Sequence, residues 1–206
     1  MEGNTHFTVG AGCASVVMAL GGASIIGAPI TPVAMGTAIL FGGFGGLAPD
    51  IDIKNSKGSK IASKLQAVIC TVFVALLVAY TFISKEQVTS YLTVFAKELI
   101  ACLGLLAFII AGKRSSHRGI THSFASSMFT TLCVWVFGRT AAIMWFVGYL
   151  SHLVIDYLNT KGEQLFWPMP NRSCLKLCKA NSPVSRFLFY LGAIVVILST
   201  ASVFIL

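Results

Sequence analysis

The sequence predicts an all-α, polytopic bundle embedded in a membrane, and three observations carry that reading. Five apolar stretches approach span length, and two shorter ones are parted only by Gly138-Arg139. Charged residues make up 11% of the chain, where a soluble domain carries about a quarter. The long stretches are 7–28, 30–48, 65–83, 92–112 and 187–206, each near the roughly 20 apolar residues a helix needs to cross hydrocarbon. The shorter ones are 123–137 and 140–157. About seven helices are therefore expected, of which one or two are short or re-entrant.

The cations punctuate these stretches in order. Lys54, Lys57, Lys60 and Lys64 follow the second, Lys113, Arg114 and Arg118 the fourth, and Lys161, Arg172, Lys176, Lys179 and Arg186 the sixth. The intervening turns hold none at 28–32, Lys85 at 84–91 and Arg139 at the fifth turn. This alternation is the positive-inside pattern. It places 50–64, 113–120 and 158–186 in the cytoplasm, the N-terminus with them and the C-terminus on the far side. The formal charge of +8 is thus topological. With no basic amphipathic reader helix, direct nucleic-acid binding is not expected. Glu2 without Lys or Arg gives no basic start for a cleaved signal peptide, so the first stretch is expected to stay. Residues 1–206 read as one membrane-embedded domain, with 158–186 as a basic cytoplasmic loop containing Pro168, Pro170 and Pro183.

Two features invite readings that composition does not support. Cys13, Cys70, Cys102 and Cys133 lie in apolar stretches as small hydrophobes. Cys174 and Cys178, in the basic loop, read as free thiols more readily than as a metal pair. The run "GGFGGLAPD" at 42–50 lacks the Gly-Lys-Ser/Thr ending of a phosphate loop. Small residues that let helices approach closely, or a helix that unwinds near a site, account for it.

The polar residues converge. His6 precedes the first helix, Asp50 and Asp52 end the second, His117 and His122 precede the fifth, and His152 and Asp156 close the sixth. On the predicted topology all seven share one membrane face. His152 and Asp156 stand at i and i+4 on one helix face. Pro49 disfavours helix at Ala48, so Asp50 and Asp52 are expected in an extended segment, pointing the same way. His117 and His122 are five apart and do not share a helical face. His117 is expected in the loop and His122 in a first helical turn capped by Thr121 or Ser123. Imidazole and carboxylate without thiolate favour zinc, with manganese or iron as alternatives and magnesium less suited. Seven donors exceed one tetrahedral zinc, which implies two or three ions or supporting roles for some donors. Helix caps, a counter-charge for Lys54 and Lys57, or a hydrogen-bonded pair would explain these residues singly.

Four stretches, "THFTVGAG" (5–12), "LAPDID" (47–52), "HRGITHS" (117–123) and "GYLSHLVIDYLNTKGEQLFWP" (148–168), resemble a family of membrane-bound metal-dependent hydrolases described as LexA-binding and inner-membrane-associated. That family is distantly similar to zinc-dependent phospholipase C and P1 nuclease, helical enzymes that hydrolyse phosphodiesters with three zinc ions. The resemblance implies that His6, Asp50, Asp52, His117, His122, His152 and Asp156 form a metal centre in a bacterial inner (cytoplasmic) membrane. It also implies a regulatory protein as a partner. The soluble enzymes use more ligands than this chain offers, which leaves the third ion open.

The expected activity is metal-assisted hydrolysis of a phosphoester, either lipid-linked or small, with the lipid bilayer as surroundings. Arg118 reads as a phosphate clamp or as a topological charge beside Lys113 and Arg114. Asp50 or Asp52, where not a ligand, reads as general base. A divalent-metal transporter and a non-catalytic regulatory scaffold are the alternatives. A transporter would want polar groups near the bilayer midplane, where the helices offer mainly Lys97 and Glu98.

Overall fold

A computed structural model describes residues 2–82, 85–179 and 182–205. These residues form seven α-helices: α1 Gly3–Gly21, α2 Pro32–Leu47, α3 Lys57–Tyr80, α4 Lys85–Arg114, α5 Phe124–Trp135, α6 Arg139–Tyr157 and α7 Pro183–Ile205. A π-helical turn, Gly22–Ile26, extends α1 and stops at Gly27, whose φ of 67° suits a residue without Cβ. Thr31 starts α2, its hydroxyl accepting the Ala34 N–H at 3.1 Å with Pro32 at the first helical position. Ser123, one of the two expected caps, accepts the Ser126 N–H at 3.2 Å and starts α5. The last helix begins at Pro183, four residues earlier than its apolar stretch.

Four segments are long and apolar enough to cross a membrane: Pro32–Asp52, Lys57–Val78, Thr93–Arg114 and Pro183–Phe204. The 12 residues of α5 reach about 18 Å, short of the ~30 Å of hydrocarbon. Helices α1 and α6 pack with α2 as the centre of the bundle, and α7 lies against α1. Helices α3, α4 and α7 carry outward-facing Val68, Leu76, Val94, Phe95, Ile194 and Ile197. Such a surface is unstable in water and at ease in lipid.

The glycine run brings backbones together. A Cβ on Gly148 of α6 would lie 1.9 Å from the Gly42 carbonyl oxygen of α2. One on Gly46 would lie 2.4 Å from the His6 carbonyl oxygen, and one on Gly45 2.3 Å from that of Trp145. Without hydrophobic pressure between helices in lipid, close backbone packing is what holds them. It also draws the end of α2 against the starts and ends of the helices that carry histidine.

The segment after α6 folds back over that same end of the bundle. Gln164 N–H donates to the Arg118 carbonyl at 3.1 Å, Phe124 N–H to that of Leu165 at 2.9 Å, and Leu175 N–H to that of Tyr157 at 2.8 Å. Isolated bridges join Asn159 with Cys178 and Glu163 with Ser173. All six cysteines are free, Cys174 and Cys178 directing their thiols at the Thr160 and Leu158 carbonyls.

Candidate metal centre

Asp50 and Asp52 do not sit in an extended segment. Ala48–Asp52 is a 3-10 turn, with Ala48 still helical at φ −60°, ψ −39°. Proline's fixed φ fits a first helical turn, and Pro49 continues the chain as a tighter helix. Two residues along a 3-10 helix turn about 240°, so the aspartates diverge. Asp50 Oδ1 approaches His152 Nε2 at 3.9 Å. Asp52 faces the 115–122 segment: Oδ1 lies 3.4 Å from His117 Nδ1, and Oδ2 3.4 Å from His122 Nδ1. Oδ2 also accepts the Arg118 N–H at 2.8 Å and the Thr121 hydroxyl at 3.2 Å.

His122 closes a 3-10 turn, Ile120–His122, just before its helix. The Gly119 that precedes this turn and the positive φ of Arg118 (60°) bend the segment back over Asp52. His6, near the start of α1, stacks on His152 with ring centroids 3.8 Å apart, and its Nε2 lies 3.4 Å from Asp156 Oδ1. His6, His122 and His152 are completely buried and Asp156 nearly so, whereas the His117 side chain is 42% exposed. The structure thus gathers all seven residues into one cluster, with His117 on its open side.

The histidines are oriented. His152 Nδ1 donates to the Gly46 carbonyl at 2.7 Å, which leaves Nε2 as a lone pair. His122 Nδ1 sits against Asp52 Oδ2 and the Thr121 hydroxyl, which likewise turns its Nε2 lone pair inward. Those two Nε2 atoms face each other at 3.3 Å. Two lone pairs repel at that distance unless one nitrogen carries a proton or a metal ion lies between them. Two nitrogens bound tetrahedrally to one zinc are separated by about 3.3 Å, from bonds of about 2.0–2.1 Å. Each imidazole donating its other nitrogen to a carbonyl or carboxylate is the usual support for a metal-binding histidine.

Two donor triads lie with their ligand atoms within 4.8 Å of one another: His6, Asp50, His152 and His122, His152, Asp156. Both contain His152, whose Nδ1 is committed, so they converge on one position at its Nε2. Neither ring nitrogen of His6 makes a hydrogen bond despite complete burial. The formal charges of Asp50, Asp52 and Asp156 outnumber that of Arg118 by two, a costly excess in a buried site. A divalent cation matches it, and the donor set fits zinc.

Arg118 is buried too. Its guanidinium donates to Asp156 Oδ2 and to the Lys161 carbonyl, while its Nε has no hydrogen-bond partner. It is therefore part of the cluster and not a surface charge beside Lys113 and Arg114. Sequence reasoning missed Glu163, which is completely buried between Lys161 and Gln164, both bonded to Arg118. A lone carboxylate in a basic loop was the available signal. Burial, reinforced by Asp156, pushes the Glu163 carboxyl up to about 9 against the attraction of Arg118. Tyr149, also unremarked in the sequence, donates its hydroxyl to the Thr121 carbonyl and braces the histidine segment.

Because the Glu163 pKa is higher folded than unfolded, the wild-type carboxyl lowers stability progressively from pH 4.5 toward 9. Glu163→Gln is expected to melt with the wild type near pH 4.5 and above it at pH 8. Thermal melts in detergent across that range check this; a constant difference at all pH values would contradict it.

A sequence model of the family described as "YdjM inner membrane protein" matches residues 1–205. The chain belongs to that family. As a member of the YdjM inner membrane protein family, it is an integral membrane protein, in keeping with the four crossing-competent segments. No curated protein and no solved structure matches it.

Proposed function

We propose that this protein is a membrane-bound, metal-dependent hydrolase acting on a phosphoester, with its centre at the cytoplasmic face. The observation that carries this reading is the pair of buried imidazole Nε2 atoms facing each other at 3.3 Å amid three aspartates. His6, Asp50, His122, His152 and Asp156 hold the first ion, zinc before manganese or iron. Asp52 and His117, 3.4 Å apart, offer a second position. A bound metal pair supplies Lewis acidity, making water a nucleophile near neutral pH and drawing charge from the phosphoryl oxygens.

The chain's own residues supply the rest. Asp52 holds His117 on the open side of the cluster, and where no second ion occupies that position the pair takes the proton of the attacking water. Arg118 fixes Asp156 and offsets part of the buried negative charge; its Nε is unbonded but buried. The basic ends of the helices, Lys54, Lys57, Lys113 and Arg114, belong on the cytoplasmic side by the positive-inside rule. They share their end of the bundle with the cluster. The transporter alternative is disfavoured because the buried ionisable groups among the described residues gather at one end and do not line a path.

The test is hydrolysis of p-nitrophenyl phosphate, bis-p-nitrophenyl phosphate and phosphatidic acid micelles by purified protein, before and after chelation and zinc reconstitution. Turnover of at least one substrate should vanish with chelator and return with zinc. Asp52→Asn should keep the first ion and lose about 100-fold in rate, the contribution of a positioned base. Fully zinc-loaded wild type that turns over none of the three would overturn the reading.

A further inference from the structure

Helix α3 touches the bundle centre mainly at the Ala48–Asp52 turn and then runs beside α4. An apolar cavity of about 460 Å³ is left between α2, α3, α4 and α6, its lining including Leu47, Ala48, Ile51, Ala62, Phe108 and Trp145. A second cavity of about 460 Å³ lies between α3 and α4. The two share Leu65, Leu105 and Phe137 as lining, and so adjoin as the two parts of a fissure along α3. At its margin Glu98 is paired with Lys97 at 3.7 Å. The fissure opens between two segments that are long and apolar enough to cross the membrane and are mostly unburied. The medium available to fill it at that depth is hydrocarbon.

Its inner end is what gives it meaning. Ala48 and Ile51 line the cavity, and Asp50 and Asp52, on the other sides of the same 3-10 turn, point into the histidine cluster. One five-residue turn thus separates an apolar slot from a polar centre. Lys54, Lys57 and Lys60 follow that turn directly, where an anionic head group would lie. We propose that the fissure seats the hydrocarbon chain of an anionic phospholipid whose phosphate reaches the His/Asp cluster. This rests on the phosphoester reading above and names its substrate class. A chain held in the slot fixes the phosphate relative to the donors, so that remote binding orients the reacting group.

The experiment uses the full-length protein in nanodiscs of phosphatidylethanolamine and phosphatidylglycerol, re-extracted into mild detergent for native mass spectrometry. The wild type should retain one phospholipid per chain, with phosphatidylglycerol enriched at least threefold over its share of the bilayer. Ala62→Phe and Leu105→Phe, which fill the slot at two separate places, should each cut retention at least fivefold while zinc content stays at the wild-type level. Retention in both zinc-loaded variants equal to the wild type, or no retained lipid in the wild type, would overturn the proposal. So would retention of phosphatidylcholine, offered in a parallel nanodisc, to the same extent as phosphatidylglycerol. Hydrolysis separates the two ideas. Retained lipid without turnover of any phosphoester would support the seat and remove the hydrolase, whereas turnover of p-nitrophenyl phosphate without retained lipid would do the reverse.

Discussion

His152→Ala should empty the metal centre. Its Nε2 is the donor common to both triads, its Nδ1 is anchored to the Gly46 carbonyl, and its ring supports His6. Zinc per chain, measured by mass spectrometry after equilibrium dialysis, is expected to fall below a fifth of the wild-type value. That requires the dissociation constant to rise to at least about four times the free zinc concentration in the dialysis. Stability should fall as well, because the Gly46 carbonyl loses its donor, a cost of about 1–3 kcal/mol for a buried group. His117→Ala makes the comparison sharp. It lies on the open side and contacts Asp52 alone among the aspartates, so it should lower zinc content at the first position little. Equal zinc in His152→Ala and wild type would mean that the converging imidazoles bind no ion.

The second large effect is structural. Gly148→Val is expected to yield no monodisperse protein, because its Cβ would lie 1.9 Å from the Gly42 carbonyl oxygen. Ordinary overpacking costs about 1–3 kcal/mol, but there a side chain can turn aside. Here the obstacle is backbone, and relief requires α2 and α6 to separate along the seam that also holds Gly45 against Trp145. Gly36→Ala, on the same α2, meets nothing within 4 Å. It should stabilise by up to about 1 kcal/mol through helix propensity. Size-exclusion profiles and thermal melts of the two variants decide between packing and general glycine flexibility as the reason for the run.

The membrane bundle was legible in the sequence because apolar length is set by bilayer thickness, and the second, fourth and sixth apolar stretches are followed by clustered cations beginning at Lys54, Lys113 and Lys161. The convergence of seven donors was legible because alternating helix directions bring the start of the first and fifth stretches and the end of the second and sixth to one face. Their mutual geometry was not. Pro49 suits both an extended segment and a first helical turn, and what selects the turn is packing: a Cβ on Gly58 would lie 2.3 Å from the Leu47 carbonyl oxygen, so α3 presses on that corner. Glu163 stood out only as the lone carboxylate of a basic loop; its burial was not legible, because it arises from that loop folding over Arg118 through backbone hydrogen bonds. The fissure beside α3 was equally invisible, being a gap between helices and not a property of any one of them.

The cluster also sets an order of events during biosynthesis. It joins His6 in the first helix to Asp156 at the end of the sixth, with donors from the second helix and the segment before the fifth between them. Chains emerge N-terminus first, so a nascent polypeptide that has inserted only its early helices holds His6 and Asp50 beside each other with neither His152 nor Asp156. Such an intermediate has no chelate to offer. On the proposed metal reading, capture of an ion would follow insertion of the sixth helix, because a chain ended by a premature stop before that helix lacks two of the five donors at the first position, His152 and Asp156, the latter also the carboxylate partner of Arg118. Acquisition of metal would serve as a chemical signature that membrane assembly is complete.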